Sequence, residues 1–398
     1  MAGGSREAGL KAPNQICMST AIRRMTLKTA RISDRTRWLF VEIERVDGRV
    51  GTGEATLAGR EEAVVDAAAR MASALGSTGP HDRSALLQAA MPATLEEAAA
   101  ASAIDTALWD LEAQESQSRL VDALGGAKRA TVPIYANINR RTKDRSPEGF
   151  AHSLHDAVLA GFDALKIAPF DEVTTEACAS GQGSAAMRAG LARVAAAREA
   201  AGPARRLMVD CHWRFDEATA AQLIEAVAEY ALHWIECPLP ETTANIPALV
   251  RLRNRATAHG IRLAGMEQGI GFAGFRPFCE AGCYDVMMPD VKYVGGLRQM
   301  LRCADEFARY GIEISPHNPS GPVAHAASLH ASAAMSAFDM LELQFDESPL
   351  FHGLVGGALP ELADGVSAVP AAPGLGVRLT ADVLAACLDG PPRIVEPT

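Results

Sequence analysis

Six ionisable residues follow short hydrophobic segments at nearly regular intervals in the second half of the chain, and their types suit acid–base and metal chemistry. They are Asp210, Glu236, Glu267, Asp290, His317 and Glu342. Successive members are separated by 26, 31, 23, 27 and 25 residues, which is the length of one strand followed by one helix. Equal positions at the carboxyl ends of successive barrel strands converge on one mouth, so we expect these groups to meet at one site.

The first three of these residues, Asp210, Glu236 and Glu267, are carboxylates that predict a metal site. A single acid after a strand is usually a helix N-cap, and this alternative applies to each of them taken alone. Three at consecutive strand ends favour a joint role, because packed carboxylates repel one another unless a cation neutralises them. Oxygen-only ligation suits Mg²⁺, which we expect as the cofactor.

The next pair, Asp290 and His317, has the residue types of a general base. An aspartate bonded to an imidazole fixes its tautomer and raises its basicity. The alternative is a histidine that caps a surface turn between Pro316 and Pro319. Glu342 is expected to donate a proton if burial keeps it neutral, and otherwise to be a structural glutamate.

The elements that must position these residues alternate between strand and helix from Val132 onward. Eight segments are predicted strands: VPIYAN, ALKI, LMVD, HWIE, LAGME, DVMMPD, EISPH and MLELQ. Amphipathic stretches separate them, such as SPEGFAHSLHDAVLAGF with Ser146 as N-cap and Pro147 at the first helical position. Eight such units predict a parallel (β/α) barrel. An open doubly wound sheet is the alternative, but no GxGxxG follows any of the strands.

The first region has a different pattern and predicts an α+β fold. WLFVEIERVDGRVGTGEAT alternates and turns at Asp47-Gly48, and helices are expected near 61–75 and 93–115, the second with a Thr94–Glu97 capping box. We therefore divide the chain into a disordered extension (1–18), an α+β capping domain (19–130), a barrel domain (131–355) and a C-terminal segment (356–398) that packs on the capping domain.

Composition excludes several classes of function. The 398 residues carry a net charge of −10 with no basic run, so we expect neither nucleic acid nor a membrane as partner. No apolar segment approaches the roughly 20 residues that span a bilayer. The amino terminus lacks the apolar core of a signal peptide, which predicts a cytoplasmic protein. The eight cysteines form no CxxC pair and are expected to be reduced thiols.

The ordered motifs resemble a known family. The run VDCHWRF, WIECPLP, LAGMEQ, MMPDVKYVGG and SPHNPSGPV, with GTGEAT, AIDTALWDLEAQ and PGLGV, resembles the mandelate racemase subgroup of the enolase superfamily over residues 19–377. The resemblance implies a modified (β/α)₇β barrel under a capping domain built from both chain ends. It also implies Mg²⁺ on Asp210, Glu236 and Glu267, with an Asp290–His317 dyad.

Within that family, the run Asp210, His212 and Arg214 with PHNPSGP is similar to the galactonate and mannonate type of acid-sugar dehydratase. The resemblance implies that His212 is the general acid that protonates the departing hydroxyl. His317 itself remains an alternative acid. A structural imidazole bonded to a backbone carbonyl is the alternative role for His212.

Two departures from the family pattern bear on the reaction. The family often has Lys-x-Lys after the second strand, whereas this chain has Lys166 and Ala168. Lys166 is expected to hold the substrate carboxylate, but the missing second base argues against a two-base racemase. The connection ARISDRTRW is shorter than the loop that often closes over the substrate. Arg214, Asn137 and Arg140 are expected to contact the substrate.

These observations predict a Mg²⁺-dependent lyase that dehydrates a sugar acid, an aldonate or an aldarate, to a 2-keto-3-deoxy acid. The alternatives are an epimerase or racemase and a lactone cycloisomerase on the same scaffold. A non-catalytic binding protein is the alternative from another class, but it would require lost ligands. We expect a small-molecule substrate and a homo-oligomer. Lys292, two residues after Asp290, is expected to be solvated, with a position facing the barrel mouth as the alternative.

Overall fold

A computed structural model describes residues 21–75 and 92–396, so the extension expected at residues 1–18 lies outside the described part. The chain begins with an antiparallel sheet of β1 (Ile22–Arg31), β2 (Arg37–Arg45) and β3 (Val50–Glu54). The turn between β2 and β3 contains Asp47 and Gly48, as predicted, and Gly48 has a left-handed φ of 84°.

Two helices pack on this sheet, α1 (Glu61–Leu75) and α2 (Leu95–Glu115). Helix α2 starts after Thr94, whose side chain accepts a hydrogen bond from the Glu97 amide at 3.3 Å, which confirms the predicted cap. Strand β3 lies directly against α2, with glycines at the closest positions. A Cβ atom on Gly51 or Gly53 would lie 2.0 Å from a carbonyl oxygen of α2, so only glycine allows this close contact.

The second sheet contains eight parallel strands, and they match the eight predicted segments. The strands are β4 (Thr131–Asn137), β5 (Ala164–Ile167), β6 (Arg206–Asp210), β7 (Trp234–Glu236), β8 (Arg262–Gly265), β9 (Val286–Met287), β10 (Glu313–Ile314) and β11 (Leu341–Gln344). Ladders join β4 through β10 in chain order and join β11 to β4. Individual hydrogen bonds cross between β10 and β11, from the Asp339 amide to Ile314 at 3.0 Å and from Glu342 to Pro316 at 3.4 Å.

Helices alternate with these strands, as expected for a (β/α) barrel that follows an α+β region. They are α3 (Leu120–Ala123), α4 (Pro147–Leu159), α5 (Thr175–Ala179), α6 (Gly183–Ala201), α7 (Glu217–Val227), α8 (Ile246–Ala258), α9 (Gly271–Ala281), α10 (Leu297–Arg309), α11 (Pro322–Ala334), α12 (Leu350–Gly353) and α13 (Ala381–Cys387). Ser146 caps α4 through the Gly149 amide at 3.1 Å, with Pro147 at the first position, as predicted.

The tail after residue 356, which we expected to pack on the first region, contacts both sheets. Strands β12 (Leu362–Ala363) and β13 (Val366–Ala368) form a hairpin that pairs with β4 of the barrel. Strand β14 (Arg393–Val395) pairs with β1 of the first sheet. The tail is therefore a connection between the two sheets.

None of the helices in the described residues is both long enough and apolar enough to cross a bilayer. Seven of the cysteines lie in the described ranges, all of them free thiols, and six of these are buried.

Candidate active site

Three carboxylates lie side by side at the carboxyl ends of neighbouring strands. Asp210 ends β6 and is the register partner of Glu236, which ends β7. Glu267 lies two residues beyond the end of β8. Their side chains are at most 8% exposed. The parallel register thus brings the three groups to one buried place, as the sequence spacing predicted.

Burial and mutual repulsion act strongly on these carboxyl groups. The pKa of Glu236 is raised to about 8, mainly by burial; the charges of Asp210 and Glu342 contribute to the rise, and Lys166 opposes it. The pKa of Glu267 is also raised, mainly by burial, although His317 opposes this. Negative groups that oppose one another's ionisation form an oxygen donor set that suits a divalent cation.

Each of the three carboxylates contacts a basic side chain. Nζ of Lys166 lies 2.6 Å from Glu236, Nε2 of His212 lies 2.9 Å from Asp210, and Nε2 of His317 lies 3.2 Å from Glu267. Within residues 21–75 and 92–396, no three acidic, histidine or cysteine side chains have the arrangement of a ready-made metal-binding group. The Mg²⁺ site therefore stays a prediction, supported by the chemistry of the donors.

The Asp290–His317 pair has the geometry of a base and the group that orients it. Nδ1 of His317 lies 2.8 Å from Oδ2 of Asp290, and the two backbones form an isolated parallel bridge. Burial opposes the charged imidazole, but Glu267 and the hydrogen bond with Asp290 raise the pKa of His317. With Nδ1 directed at Asp290, Nε2 is the nitrogen available to a substrate proton.

Lys292 is buried beside this pair, so our expectation of a solvated lysine is wrong. Its side chain is 1% exposed and its ammonium lies 2.5 Å from Oδ2 of Asp290, the oxygen that His317 also contacts. The ammonium also donates to Ser320. Although burial favours the neutral acid, Lys292 and His317 lower the pKa of Asp290. Asp290 is thus held as a carboxylate between two donors.

His212 lies at the edge of the site and is 43% exposed. Its backbone is left-handed, with a φ of 48°, and its amide donates to Oδ1 of Asp210 at 2.9 Å. Asp210 raises the pKa of His212 to about 9, against burial. A backbone carbonyl was the alternative partner that we considered for this imidazole; its observed contact is a carboxylate.

Lys166, Glu342 and Asn137 form a buried network. The Lys166 ammonium is 3.0 Å from Glu342 as well as 2.6 Å from Glu236, and Asn137 donates to Glu342 at 2.6 Å. Burial alone would raise the pKa of Glu342, but Lys166 and His317 lower it. These contacts favour an ionised Glu342, against our expectation of a neutral proton donor.

A cavity of 910 Å³ opens beside His212 and Ala168. Arg140 and Arg214 line it, so two of the four residues that we expected to bind substrate face open space there. The other two, Lys166 and Asn137, are 1% and 4% exposed, and both contact Glu342. The turn 33–36 of the first region forms another wall of the cavity. The site therefore lies where the first sheet meets the barrel.

Glu241 was missed by the sequence analysis, although it follows Glu236 by five residues in ECPLPE. Its carboxylate accepts hydrogen bonds from the Met266 amide and from the Tyr284 hydroxyl, the latter at 3.0 Å. Met266 precedes Glu267 and has a left-handed φ of 69°. Such backbone is costly for a residue with a side chain, and Glu241 stabilises it. No local pattern distinguishes this glutamate from a surface one.

Two family models match this chain. Residues 149–383 match the family model described as enolase C-terminal domain-like, and residues 15–125 match the mandelate racemase / muconate lactonizing enzyme N-terminal domain. A D-gluconate dehydratase from Thermoproteus tenax is 31% identical over 87% of this chain and 70% of its own length.

Two further relatives and one solved structure illustrate the range of the similarity. A D-galactonate dehydratase from Ralstonia nicotianae is 29% identical over 74% of this chain and 75% of its own. A D-galactarolactone cycloisomerase from Agrobacterium fabrum is 29% identical over 88% of this chain and 91% of its own length. The crystal structure of an enolase superfamily member from Salmonella Typhimurium has a TM-score of 0.80 at 24% identity, covering 94% of this chain and 100% of that one. This last likeness concerns the fold.

Proposed function

Because the chain belongs to the mandelate racemase and muconate lactonizing enzyme family of the enolase superfamily, we propose that it is a Mg²⁺-dependent dehydratase of sugar acids. The relatives named D-gluconate and D-galactonate dehydratase support a hydro-lyase that acts on a small molecule. The observation that carries the proposal is the His317–Asp290 pair, 2.8 Å apart and directly beside the carboxylates of the barrel mouth.

The first step is removal of the proton alpha to the substrate carboxylate. Nε2 of His317 takes this proton, while Asp290 holds the imidazole in the required tautomer. Mg²⁺ held by Asp210, Glu236 and Glu267 would spread the negative charge of the resulting ene-diolate. Lys166 balances the buried carboxylates beside it, and we retain its contact with the substrate carboxylate as a prediction.

The second step is loss of the β-hydroxyl. His212 lies at the cavity, 2.9 Å from Asp210, and its imidazolium protonates the departing oxygen. His317, which carries the abstracted proton, is the alternative donor. The enol product rearranges to a 2-keto-3-deoxy acid. These two steps require one base and one acid, and His317 and His212 are the residues that we propose for these roles.

Ala168 bears on the competing reactions. It lines the cavity at the position where the family pattern often has a second lysine. Proton return to the opposite face would need a base there, so the alanine favours dehydration over racemisation. A lactone cycloisomerase is the second candidate, because a relative of that name matches 88% of the chain.

The test is incubation of the protein and Mg²⁺ with aldonates and aldarates in D₂O, followed by NMR of the products. A dehydratase yields a 2-keto-3-deoxy acid, whereas an epimerase or cycloisomerase yields an isomer. In His317→Asn we expect neither product nor exchange of the α-proton. His152→Asn is the matched control, because His152 is 75% exposed on α4. Normal exchange in His317→Asn would contradict the assignment of the base.

A further inference from the structure

The cavity beside His212 is lined by several cationic side chains. Five of its lining residues are basic: Arg35, Arg140, Lys143, Arg145 and Arg214. Two of them are neutralised by acids. Arg140 lies 3.0 Å from Glu347, and Arg145 contacts Asp171 through two nitrogens at 2.7 and 2.9 Å. Three cations remain.

The three remaining cations have no carboxylate partner among the described residues. Arg214 donates to the backbone carbonyls of Asp171 at 2.8 Å, Val173 at 3.3 Å and Phe170 at 3.4 Å. Lys143 donates to the carbonyl of Arg140 at 2.9 Å. No side-chain acceptor within the described ranges contacts the Arg35 guanidinium. Carbonyls orient a cation without cancelling its charge, so these walls stay positive.

The turn that carries Arg35 is fixed to the barrel. The Thr36 hydroxyl donates to Glu347 at 2.6 Å, and Glu347 is the same acid that Arg140 contacts. Asp34, beside Arg35, is the one lining carboxylate without an ion-pair partner in the described part of the chain. Three unneutralised cations against one acid leave an excess of positive charge at this cavity. Carbonyl contacts already hold the side chains of Lys143 and Arg214, which lowers the ordering cost of binding an anion.

We infer that the substrate carries a second anionic group, at the end remote from the reacting carboxylate, and that Arg35, Lys143 and Arg214 bind it. The inference rests on the proposed function, because it assigns the near end of the substrate to the carboxylate-rich mouth. A guanidinium fork recognises a carboxylate or a phosphate equally well. The remote group is thus the second carboxylate of an aldarate or the phosphate of a phosphorylated aldonate.

The test compares kcat/KM for matched pairs: galactarate against galactonate, glucarate against gluconate, and 6-phosphogluconate against gluconate. We expect the doubly anionic member of at least one pair to be preferred about 10-fold or more. The type of pair that shows the preference distinguishes carboxylate from phosphate. In Arg35→Gln and Lys143→Gln this preference ratio should fall about 10-fold, which corresponds to one lost charge contact. Arg188→Gln, an exposed change of equal charge on α6, should keep the ratio.

Equal or better turnover of the singly anionic acids, with ratios unchanged in both variants, would overturn the inference while the proposed function stands. If no acid is turned over, calorimetric binding in the presence of Mg²⁺ decides the matter, with galactarate compared with galactonate and 6-phosphogluconate compared with gluconate. Preferential binding of either doubly anionic acid, lost in Arg35→Gln, retains the anion subsite and rejects the dehydratase. Equal or absent binding within both pairs rejects the subsite.

Discussion

The barrel strands begin and end with charged side chains, but the two ends differ in how those charges are partnered. At the amino ends, Arg206 and Arg262 each lie 3.1 Å from Asp339, and Arg253 lies 2.7 Å from Asp285. These side chains are 18–42% exposed, so water shares in their solvation. Each charge has an opposite neighbour, as in an ordinary stabilising surface network.

At the carboxyl ends, acids outnumber cations. Five carboxyl groups, none more than 8% exposed, share two lysines and two histidines: Asp210, Glu236, Glu267, Asp290 and Glu342 with Lys166, Lys292, His212 and His317. Burial raises the pKa of Glu236 to about 8, whereas contacts with His233, Arg262 and Arg206 overcome burial and lower the pKa of Asp339 to about 2.

The difference separates a stabilising surface from a functional one. Crowded buried acids oppose folding, and such an arrangement persists where the site needs it. Exposed, paired charges do not oppose folding, and they contribute modestly to stability. Changes at the carboxyl ends should therefore affect chemistry most, and changes at the amino ends should affect stability alone.

Removal of the metal is expected to have the largest effect. A bound divalent ion supplies several kcal/mol of charge stabilisation in reactions of this type. Dialysis against EDTA should lower kcat on the order of 10³-fold, and added Mg²⁺ should restore it. The far-ultraviolet circular dichroism spectrum should not change. Full turnover by protein shown to be metal-free by mass spectrometry would remove the functional distinction between the two ends.

Lys292→Met is the next largest change. It leaves the buried Asp290 carboxylate without its ammonium partner, which should lower the free energy of unfolding by about 3 kcal/mol. Because Asp290 orients His317, kcat should also fall more than about 10-fold. Urea unfolding and steady-state kinetics measure the two effects. Lys292→Arg keeps the charge and should recover part of the stability and part of kcat. If Lys292→Met changed neither quantity, the role of Lys292 as the partner of Asp290 would be contradicted.

His330 lies at neither end of the barrel strands. It tests whether burial of a single group makes the stability of the fold depend on pH. In α11 it accepts from the Val121 amide and contacts the Leu375 carbonyl, both at 3.1 Å, and burial lowers its pKa to about 4. The unfolded chain binds this proton near pH 6.5. The stability contribution is therefore complete above that pH and is lost as the pH falls towards 4.

The corresponding measurement is urea unfolding at pH 7.5 and pH 4.5. The loss of stability between these values should be smaller in His330→Gln than in the unchanged protein by about 2 kcal/mol. Comparing losses removes the direct effect of the substitution on packing. An equal loss in both proteins would show that His330 does not contribute to acid sensitivity.

Asp339→Asn should have the smallest effect, and it should change stability without changing turnover. It removes the partner of Arg206 and Arg262 at the amino ends, so the free energy of unfolding should fall by about 1 kcal/mol. Turnover per folded molecule should not change, because Asp339 lies at the far end of the strands from the site. If kcat fell as strongly as in Lys292→Met, the functional distinction between the two ends of the strands would be wrong.

Much of the fold follows from local patterns. All eight barrel strands overlap the predicted segments, and the caps at Thr94 and Ser146 lie where the motifs indicated. These features depend on hydrophobic runs and on residues three positions apart. The two-sheet path of the tail was missed, because β13 pairs with β4 across more than 200 residues and its short strands carry no distinctive pattern.

The sequence by itself determined which acids and histidines converge, because parallel strands of regular spacing place equivalent residues at one end. Only the tertiary structure decided how those groups are charged and partnered. The burial of Lys292, the ionisation of Glu342 and the support of Met266 by Glu241 arise between residues from different strands and loops. Electrostatic effects of this kind depend on distance and solvent exclusion, and neither is encoded in the spacing of residues along the chain.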